Sequence, residues 1–326
     1  MRGRLGGTFG YYHKVTDGTL LNMTPAPSSS YSTVVFNIAK IRNQGLEFDI
    51  HGDFIRKKDF RWTGNLNISR NVSKVLDING GPFSDPNDRD AMNLGTSVVK
   101  EGEPLGLLYG RVATGIIKTQ AQLEAAREEF SLWTIFDPYL NLGDIAYEYE
   151  DGFWKEDVIG HATPDFFGGY TNTINWNRFT LTALFTFSYG NDLIYQKDVS
   201  DSGMSSLANR GTRVLHHYSE DNTSSNRPRS MWATTYMLSS LNVYDASYLK
   251  LKTLSLSYNL PESICRKVRI KSASVYGTAT NVFTITSYPG PDPEVSDDPT
   301  SVIGGGRDVS TYPTVKSYTF GIRINF

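Results

Sequence analysis

The sequence has a single cysteine, Cys265, in 326 residues. That scarcity excludes a disulfide framework and a cysteine-based zinc site. Long apolar runs are also missing. No stretch of 18 apolar residues occurs, so no helix is available to cross a bilayer. Neither sign of charge is in excess: 32 Lys and Arg face 34 Asp and Glu, a formal net charge of −2. That balance leaves no basic surplus to hold a nucleic acid. The start, Met1-Arg2-Gly3-Arg4, leads straight into strand-like sequence without the apolar stretch of a signal peptide. The expectation for an exported protein is then a fragment, or a gene product lacking its N-terminal part. Signatures of catalysis are absent as well, with no G-x-S-x-G, H-E-x-x-H or C-x-x-C. No catalytic constellation emerges, and the chain is not read as an enzyme.

What is present is aromatic and alternating. Phe, Tyr and Trp reach 13%, with 19 Tyr and 17 Phe, although all apolar residues together make only 39%. Strands favour aromatic side chains on their pleated surface, and membrane barrels gather them at both water interfaces. Tyr318, Phe320, Ile322, Ile324 and Phe326 alternate with polar residues at the end of the chain. Phe179 to Tyr189, Leu46 to Phe54 and Trp62 to Ser69 alternate in the same way. Weaker runs lie at Leu5 to Lys14, Phe166 to Trp176, Tyr248 to Leu260 and Ile270 to Ile285. Because strand side chains alternate faces, each run has an apolar and a polar side. The count is eight strands of roughly ten residues or more, the length a tilted strand needs to cross a bilayer.

The connections run long (16–42), short (56–60), long (71–165), short (Asn177-Arg178), long (190–246), medium (261–269) and long (286–313). Outer-membrane barrels have short periplasmic turns and long external loops, and this order places the chain's end on the periplasmic side. Phe60, Trp62, Trp176 and Phe179 flank the short turns and read as an interfacial girdle, against the alternative of ordinary hairpin-flanking core residues. Residues 120–130 read as a short exposed helix with Thr119 as its N-cap. Leu105 to Thr119 reads as a loop hairpin around Gly110 and Gly115, and no fold is legible in 196–245.

Each loop motif has a plain reading beside the functional one. Asp144, Glu148, Glu150, Asp151 and Asp157 gather around Gly152. Calcium takes several oxygens on a glycine turn, but the ordered spacing of an EF-hand is not met, and a solvated acidic loop is the first reading. Trp133, Tyr147, Trp154, Trp232 and Tyr236 lie in long loops, where binding function concentrates. They are the ligand-stacking candidates, against the alternative that they build the loops' own small core. His216-His217 lack a third ligand in view, and Gly304-Gly305-Gly306-Arg307 lacks the context of a phosphate loop.

Several short motifs follow one another along these strands. Asn43-Gln44-Gly45-Leu46-Glu47 opens a strand. Gly102 to Gly106, Tyr109-Gly110 and Thr114-Gly115-Ile116 form a block. Gly143-Asp144-Ile145, Asp157 to Gly160, Pro164 and Gly168-Gly169 form the next. Phe187 to Asn191, Ala246 to Lys252 and Ala279 to Phe283 follow, then Tyr288, Gly290, Asp292-Pro293-Glu294 and Tyr312-Pro313, with Tyr318 to Gly321 last. In this order they resemble the C-terminal third of SusC/RagA-type TonB-linked outer-membrane proteins of the Bacteroidetes. The resemblance implies an all-β fold, residues 1–326 being the C-terminal portion of a TonB-dependent receptor barrel of 22 antiparallel strands. The N-terminal plug, the TonB-contacting segment and the signal peptide are then expected to be absent from these residues. It further implies uptake of oligosaccharides or peptides, a SusD-like surface lipoprotein as partner, and energy from TonB through the missing N-terminal part. Tyr318, Phe320, Ile322, Ile324 and Phe326 become the signal read by the barrel-assembly machinery. The family's acidic loop is shortened here to Glu148 to Gly152, which leaves bound calcium in doubt.

On this reading Phe185, Phe187, Phe320 and Ile322 face outer-membrane lipid, whereas Glu47, Asp49 and Arg323 line a wet interior. Arg in place of Phe185 is expected to cost ~2–4 kcal/mol, and Arg in place of Thr186 to be tolerated. Two alternatives stand beside it: a secreted β-rich glycan-binding module or hydrolase, and a small passive pore whose eight strands close on themselves.

Overall fold

A computed structural model of the chain describes residues 4–23, 34–78, 90–129, 140–203, 209–230, 236–297, 303 and 305–326. Eight long strands dominate it: β1 (Leu5–Met23), β2 (Val34–Arg56), β3 (Phe60–Asp77), β4 (Phe166–Trp176), β5 (Phe179–Tyr189), β6 (Tyr248–Asn259), β7 (Ser272–Thr286) and β8 (Ser317–Asn325). They form one sheet in chain order, and every neighbouring pair is antiparallel. Among the described residues β1 and β8 do not pair with each other. The sheet is therefore open, and the alternative of an eight-stranded barrel closed on itself is corrected.

The register sorts the side chains onto two faces. Phe9 lies opposite Phe48, Phe48 opposite Ile68, Leu66 opposite Tyr170, and Tyr170 opposite Phe185. On the same face Leu181 meets Leu256, Tyr258 meets Val275, and Val275 meets Ile322. The other face pairs Asp49 with Asn67, Thr173 with Thr63 and Thr182, Ser255 with Thr278, and Ser274 with Arg323. The expected faces of Phe185, Phe187, Phe320, Ile322, Asp49 and Arg323 are all met. The apolar face is bare: Phe9, Trp176, Tyr318, Phe320 and Ile322 are more than 60% exposed. A soluble protein rarely exposes such a continuous apolar band, which weighs against the secreted soluble module.

The apolar pattern of β6 changes parity, from Leu249 and Leu251 to Leu254, Leu256 and Tyr258. One residue too many would turn half the strand inside out. The pairing absorbs it with an irregularity between Leu251 and Thr253, so both halves keep their leucines on the outer face. Two glycines serve another close fit. A Cβ at Gly64 would stand 2.5 Å from the Phe54 ring, and one at Gly321 would stand 2.5 Å from the Tyr276 ring. Each aromatic ring lies across backbone that carries no side chain, covering ladder hydrogen bonds.

The turns at one end are short: residues 57–59, then Asn177-Arg178, with Asn177 left-handed at φ 53°, a conformation Asn tolerates. Strands at the other end run on further than expected. β1 extends to Met23 and β2 begins at Val34, which corrects the long connection at 16–42. Asp17-Gly18 interrupts the ladder between Thr16 and Thr19, and the non-alternating apolar residues beyond it hid the continuation.

The buried apolar core lies above the sheet, among the loops. Ala39, Ile41, Val75, Ile78, Met92, Val99 and Leu105 form one cluster. Strands Ala91–Asn93, Ser97–Lys100, Leu107–Arg111 and Glu156–His161 make a small sheet there. The expected hairpin at Leu105 to Thr119 is corrected. Leu107–Arg111 joins that sheet, whereas Ala113–Ile116 pairs with Ile145–Tyr147; one residue between two strands is too few to turn them back on each other. Helix α1 (Gln120–Glu129) appears as expected, with the Gln122 N–H donating to Thr119 Oγ1 at 3.2 Å. Helix α2 (Gln196–Gly203) and a sheet of Asp192–Tyr195, Val243–Asp245 and Arg307–Asp308 lie in or beside the stretch with no legible fold.

The faces predict a contrast between Phe185→Arg, aimed at lipid, and Thr182→Arg, aimed at the lumen among neutral Thr173 and Ser255. The first should lower stability of the protein folded in lipid by ~2–4 kcal/mol and the second by under about 1 kcal/mol, read by urea unfolding in lipid. Equal losses would mean the faces are assigned wrongly.

Candidate functional site

The polar face of the sheet and the loops above it border a space lined by polar and charged side chains. Towards the short turns the wall carries Asp53, whose Oδ1 accepts from Arg61 Nη2 at 2.8 Å and Nε at 3.1 Å. Asp49 Oδ1 lies 3.2 Å from His51 Nδ1. His51, Asp53 and Arg61, with Thr63, Asn65 and Thr171, border a hollow of about 570 Å³. Serines and threonines continue the wall, as where Ser255 and Thr278 share a hydrogen bond of 2.9 Å. Such a surface offers many weak donors and acceptors, which suits hydrated polar solutes.

At the loop end, Lys250 points inward from β6 and is 1% exposed. Its ammonium donates to Asp292 at 2.9 and 3.1 Å and also to Glu294. Lys252 Nζ reaches Glu294 at 2.9 Å, and the Tyr248 hydroxyl donates to it at 2.9 Å. The Thr314 hydroxyl donates to Asp292. Lys250 and Lys252 lie two apart on β6, and both ammonium groups reach Glu294. This staple holds the segment after β7 against the wall, beside a second hollow of about 500 Å³ lined by Ser188, Asn191, Asp192, Tyr248 and Glu294. Burial by itself raises both carboxyls. For Asp292 the Thr314 hydroxyl, the Glu294 N–H and Lys250 outweigh it and hold the group below its ordinary range. For Glu294, Lys250, Lys252 and Tyr248 do the same. Thr186, opposite Lys250, is consequently a poor place for a second cation, which corrects the expectation that Arg is tolerated there.

A second charged cluster sits higher. Asp144 is 4% exposed and accepts from Arg229 Nε at 2.8 Å, from Arg229 Nη2 at 3.1 Å, from the Tyr236 hydroxyl at 3.2 Å and from the Asn141 N–H at 2.7 Å. Burial pushes its carboxyl up despite the Arg229 pair, and burial beside Asp144 pushes the Tyr236 phenol up.

The loop candidates fall into two groups. Tyr147 and Tyr236 pack on Ile116, Ile145 and Tyr218, so they belong to a loop core. Burial raises the Tyr147 phenol to about 12. Trp154 lies with its ring 6.5 Å from Tyr147 and under the Arg111 guanidinium at 5.0 Å. Trp133 and Trp232 fall outside the described residues.

The five acids are not drawn together. Asp144 faces Arg229, and Glu148 pairs with Lys155 at 3.0 Å. Glu150 and Asp151 are exposed at a turn, and Asp157 caps the Val158 N–H at 2.7 Å. Among the described residues no three His, Cys, Asp or Glu side chains converge as a metal site. Tyr318, Phe320, Ile322 and Ile324 stand on the outer face of β8, and Phe326 follows it, 91% exposed. The Lys250 staple was missed by the sequence reading. Its partners lie 42 and 44 residues away, and the only signal was that both ends fell within motifs of one series.

No family model matches the chain. It is 31% identical over 99% of its length to TonB-dependent receptor P3 of Formosa agariphila, covering 32% of that protein. It is 24% identical over 100% of its length to TonB-dependent receptor SusC of Bacteroides thetaiotaomicron, covering 30% of it. Its fold is similar to a chain of the RagAB peptide transporter, with TM-score 0.76 and 21% identity over 99% of this chain and 34% of that one. The chain thus spans about a third of the length of the relatives it matches.

Two outcomes follow from the staple. Lys250→Ala leaves the buried Asp292 carboxylate without its cation, while Glu294 keeps Lys252 and Tyr248, and should destabilise the 287–297 segment by about 3 kcal/mol, read as faster hydrogen exchange there. Depressed carboxyl pKa values add stability that is present above their ordinary range and lost as pH falls through the depressed values. Protection of 287–297 should therefore hold at pH 5 and fall only below about pH 4. Loss of protection on raising the pH instead would contradict the staple.

Proposed function

We propose that this chain, part of a SusC/RagA-type TonB-dependent receptor of the bacterial outer membrane, supplies eight adjacent strands and their overlying loops to a barrel that imports oligosaccharides or peptides. The observation that carries the reading is the pairing of a lipid-type outer face with a polar inner face, continuous through all eight strands and roofed by packed loops. The rest of the machine comes from the family reading: a plug in the lumen, energy delivered by TonB, and a SusD-like surface lipoprotein over the external mouth. Residues 1–326 take the C-terminal part of that barrel, with β8 and Phe326 as the segment that the assembly machinery reads.

Within this reading the mouth has a division of labour. Lys250, Asp292 and Glu294 fix one loop base, and the Asp144–Arg229 pair fixes another. Trp154, held under Arg111, is the described aromatic best set to stack on a ligand ring or side chain. Tyr147 and Tyr236 position the loop that carries it. Trp133 and Trp232 remain ligand candidates in the loops. Calcium at Asp144, Glu148, Glu150, Asp151 or Asp157 gains no support from the geometry, since Arg229 and Lys155 already occupy two of the five acids.

The test uses the full receptor co-expressed with its neighbouring lipoprotein and purified in detergent. Mass spectrometry of what remains bound, after exposure to a mixed polysaccharide digest and a tryptic peptide mixture, should find one of the two classes enriched. Trp154→Ala should weaken that capture by about 10-fold or less, in the range of one stacking contact, without altering barrel folding. Capture of neither class, or a folded receptor that never engages the lipoprotein, would sink the import reading.

A further inference from the structure

The turn end of the sheet carries a shape and a charge that transport does not use. On the outer face, Phe179, Leu254 and Leu256 on one side and Tyr318, Phe320 and Ile322 on the other border a trough of about 850 Å³. Its floor is β7, where Gly277 and Ala279 present almost no side chain. The Phe320 ring leans over that floor, 3.2 Å from where a Cβ on Gly277 would stand. Towards the turns the trough ends at a row of Phe179, Tyr258, Val275 and Ile322. The Phe179 and Tyr258 rings are 4.8 Å apart between centroids.

Immediately beyond that row lie two connections, Asn177-Arg178 and the segment that holds helix α3 (Glu262–Lys267). They are held together, since the Asn259 N–H donates to the Arg178 carbonyl at 2.9 Å. Cys265 anchors the helix, buried at 2% exposure, while Ile264 and Val268 are exposed at 47% and 60%. Arg178, Lys267, Arg269 and Lys271, in or next to the same two connections, are exposed, and Arg266 is engaged with Glu262 at 2.8 Å. Across residues 57–59, 177–178 and 260–271 seven Lys and Arg face two acids. In a chain whose charges otherwise balance, that surplus is local to the short turns.

An apolar trough that runs into a basic rim matches the two halves of one molecule. We infer that this face binds an anionic diacyl phospholipid, with an acyl chain along the trough over Gly277 and Ala279 and the phosphate among Arg178, Lys267, Arg269 and Lys271. The inference rests on the membrane-spanning reading and adds to it a lipid class and a place. Ile264 and Val268 enter the boundary between headgroups and acyl chains, as the apolar side of an interfacial helix does. Basic residues near a membrane surface favour anionic lipid by roughly fivefold each, and salt weakens that preference.

The test is lipid retention by the full receptor in detergent, offered equal amounts of phosphatidylglycerol and phosphatidylcholine with matched chains and read by native mass spectrometry. Phosphatidylglycerol should be retained at least about fivefold over phosphatidylcholine. The variant R178Q/K267Q/R269Q/K271Q should lose that preference and still hold lipid. Ala279→Leu, which fills the trough, should lower retention of both lipids while heat-modifiable gel mobility shows an intact barrel. Equal retention by the unaltered receptor, a preference that survives neutralisation, or no effect of Ala279→Leu in a folded barrel overturns the site and leaves the membrane reading standing. A second receptor copy covering the trough in place of lipid overturns it equally. Retention of neither lipid by a protein that stays dispersed in plain buffer overturns both.

Discussion

Within hydrocarbon a backbone N–H or C=O without a partner costs several kcal/mol, so a chain that crosses a bilayer in strands must pair every one of them laterally. That requirement organises the whole molecule. It fixes the order of β1 to β8 as a meander, because each strand's ladder is most simply completed by the strand that precedes or follows it. It tolerates only short turns at one end, and it makes any local extra residue a problem to be absorbed inside the ladder. The irregularity at Leu251–Thr253 is such an absorption. Without it, either the leucines on one half of β6 or those on the other would face the lumen.

The same requirement inverts the usual placement of apolar residues. In a soluble protein the sheet would hide its Phe and Leu side chains in a core; here they stand outward, and the buried apolar clusters form among the loops instead. The loops sit in water, so they must fold by ordinary hydrophobic burial, with Ile41 and Val75 at the upper ends of β2 and β3 serving as their floor. Buried charge enters where the two regimes meet. Lys250 comes from a strand and Asp292 and Glu294 from a loop, so their contact couples the barrel wall to the roof. Removing one partner leaves uncompensated charge in a dry place, which is why a buried ion pair can set geometry even when its net contribution to stability is small.

How much of this was legible depended on the distance over which each signal acts. Alternation is a two-residue pattern, so all eight strands, the turn at Asn177-Arg178 and the outward faces of Phe185 and Phe320 could be read directly. The Thr119 cap of α1 was equally local. The upper ends of β1 and β2 were not legible, because Asp17-Gly18 breaks the period and residues such as Leu20 pair beyond it without alternating. The strand pairs Leu107–Arg111 with Glu156–His161 and Ala113–Ile116 with Ile145–Tyr147 were hidden for another reason. Both span more than 25 residues, and short apolar stretches carry no label for their partner. The site suffered most from this limit. Asp144 looked like one acid among several, and only the fold reveals that Arg229, 85 residues away, has claimed it.

An open sheet in a membrane also says something about what the chain can be by itself. The outer ladders of β1 and β8 have no partner among the described residues, and each strand is long enough to present several such groups inside hydrocarbon. At several kcal/mol for each unsatisfied group, those two edges outweigh the 5–15 kcal/mol that an entire domain has in hand. Closing the eight strands on themselves is not the arrangement adopted, and extended edges of this kind otherwise recruit other chains. The larger ring proposed above would give each of these two edges a neighbouring strand and so complete both ladders. The stability of the faces, the staple and the trough then belongs to that whole ring, and substitutions in this chain should be weighed within it.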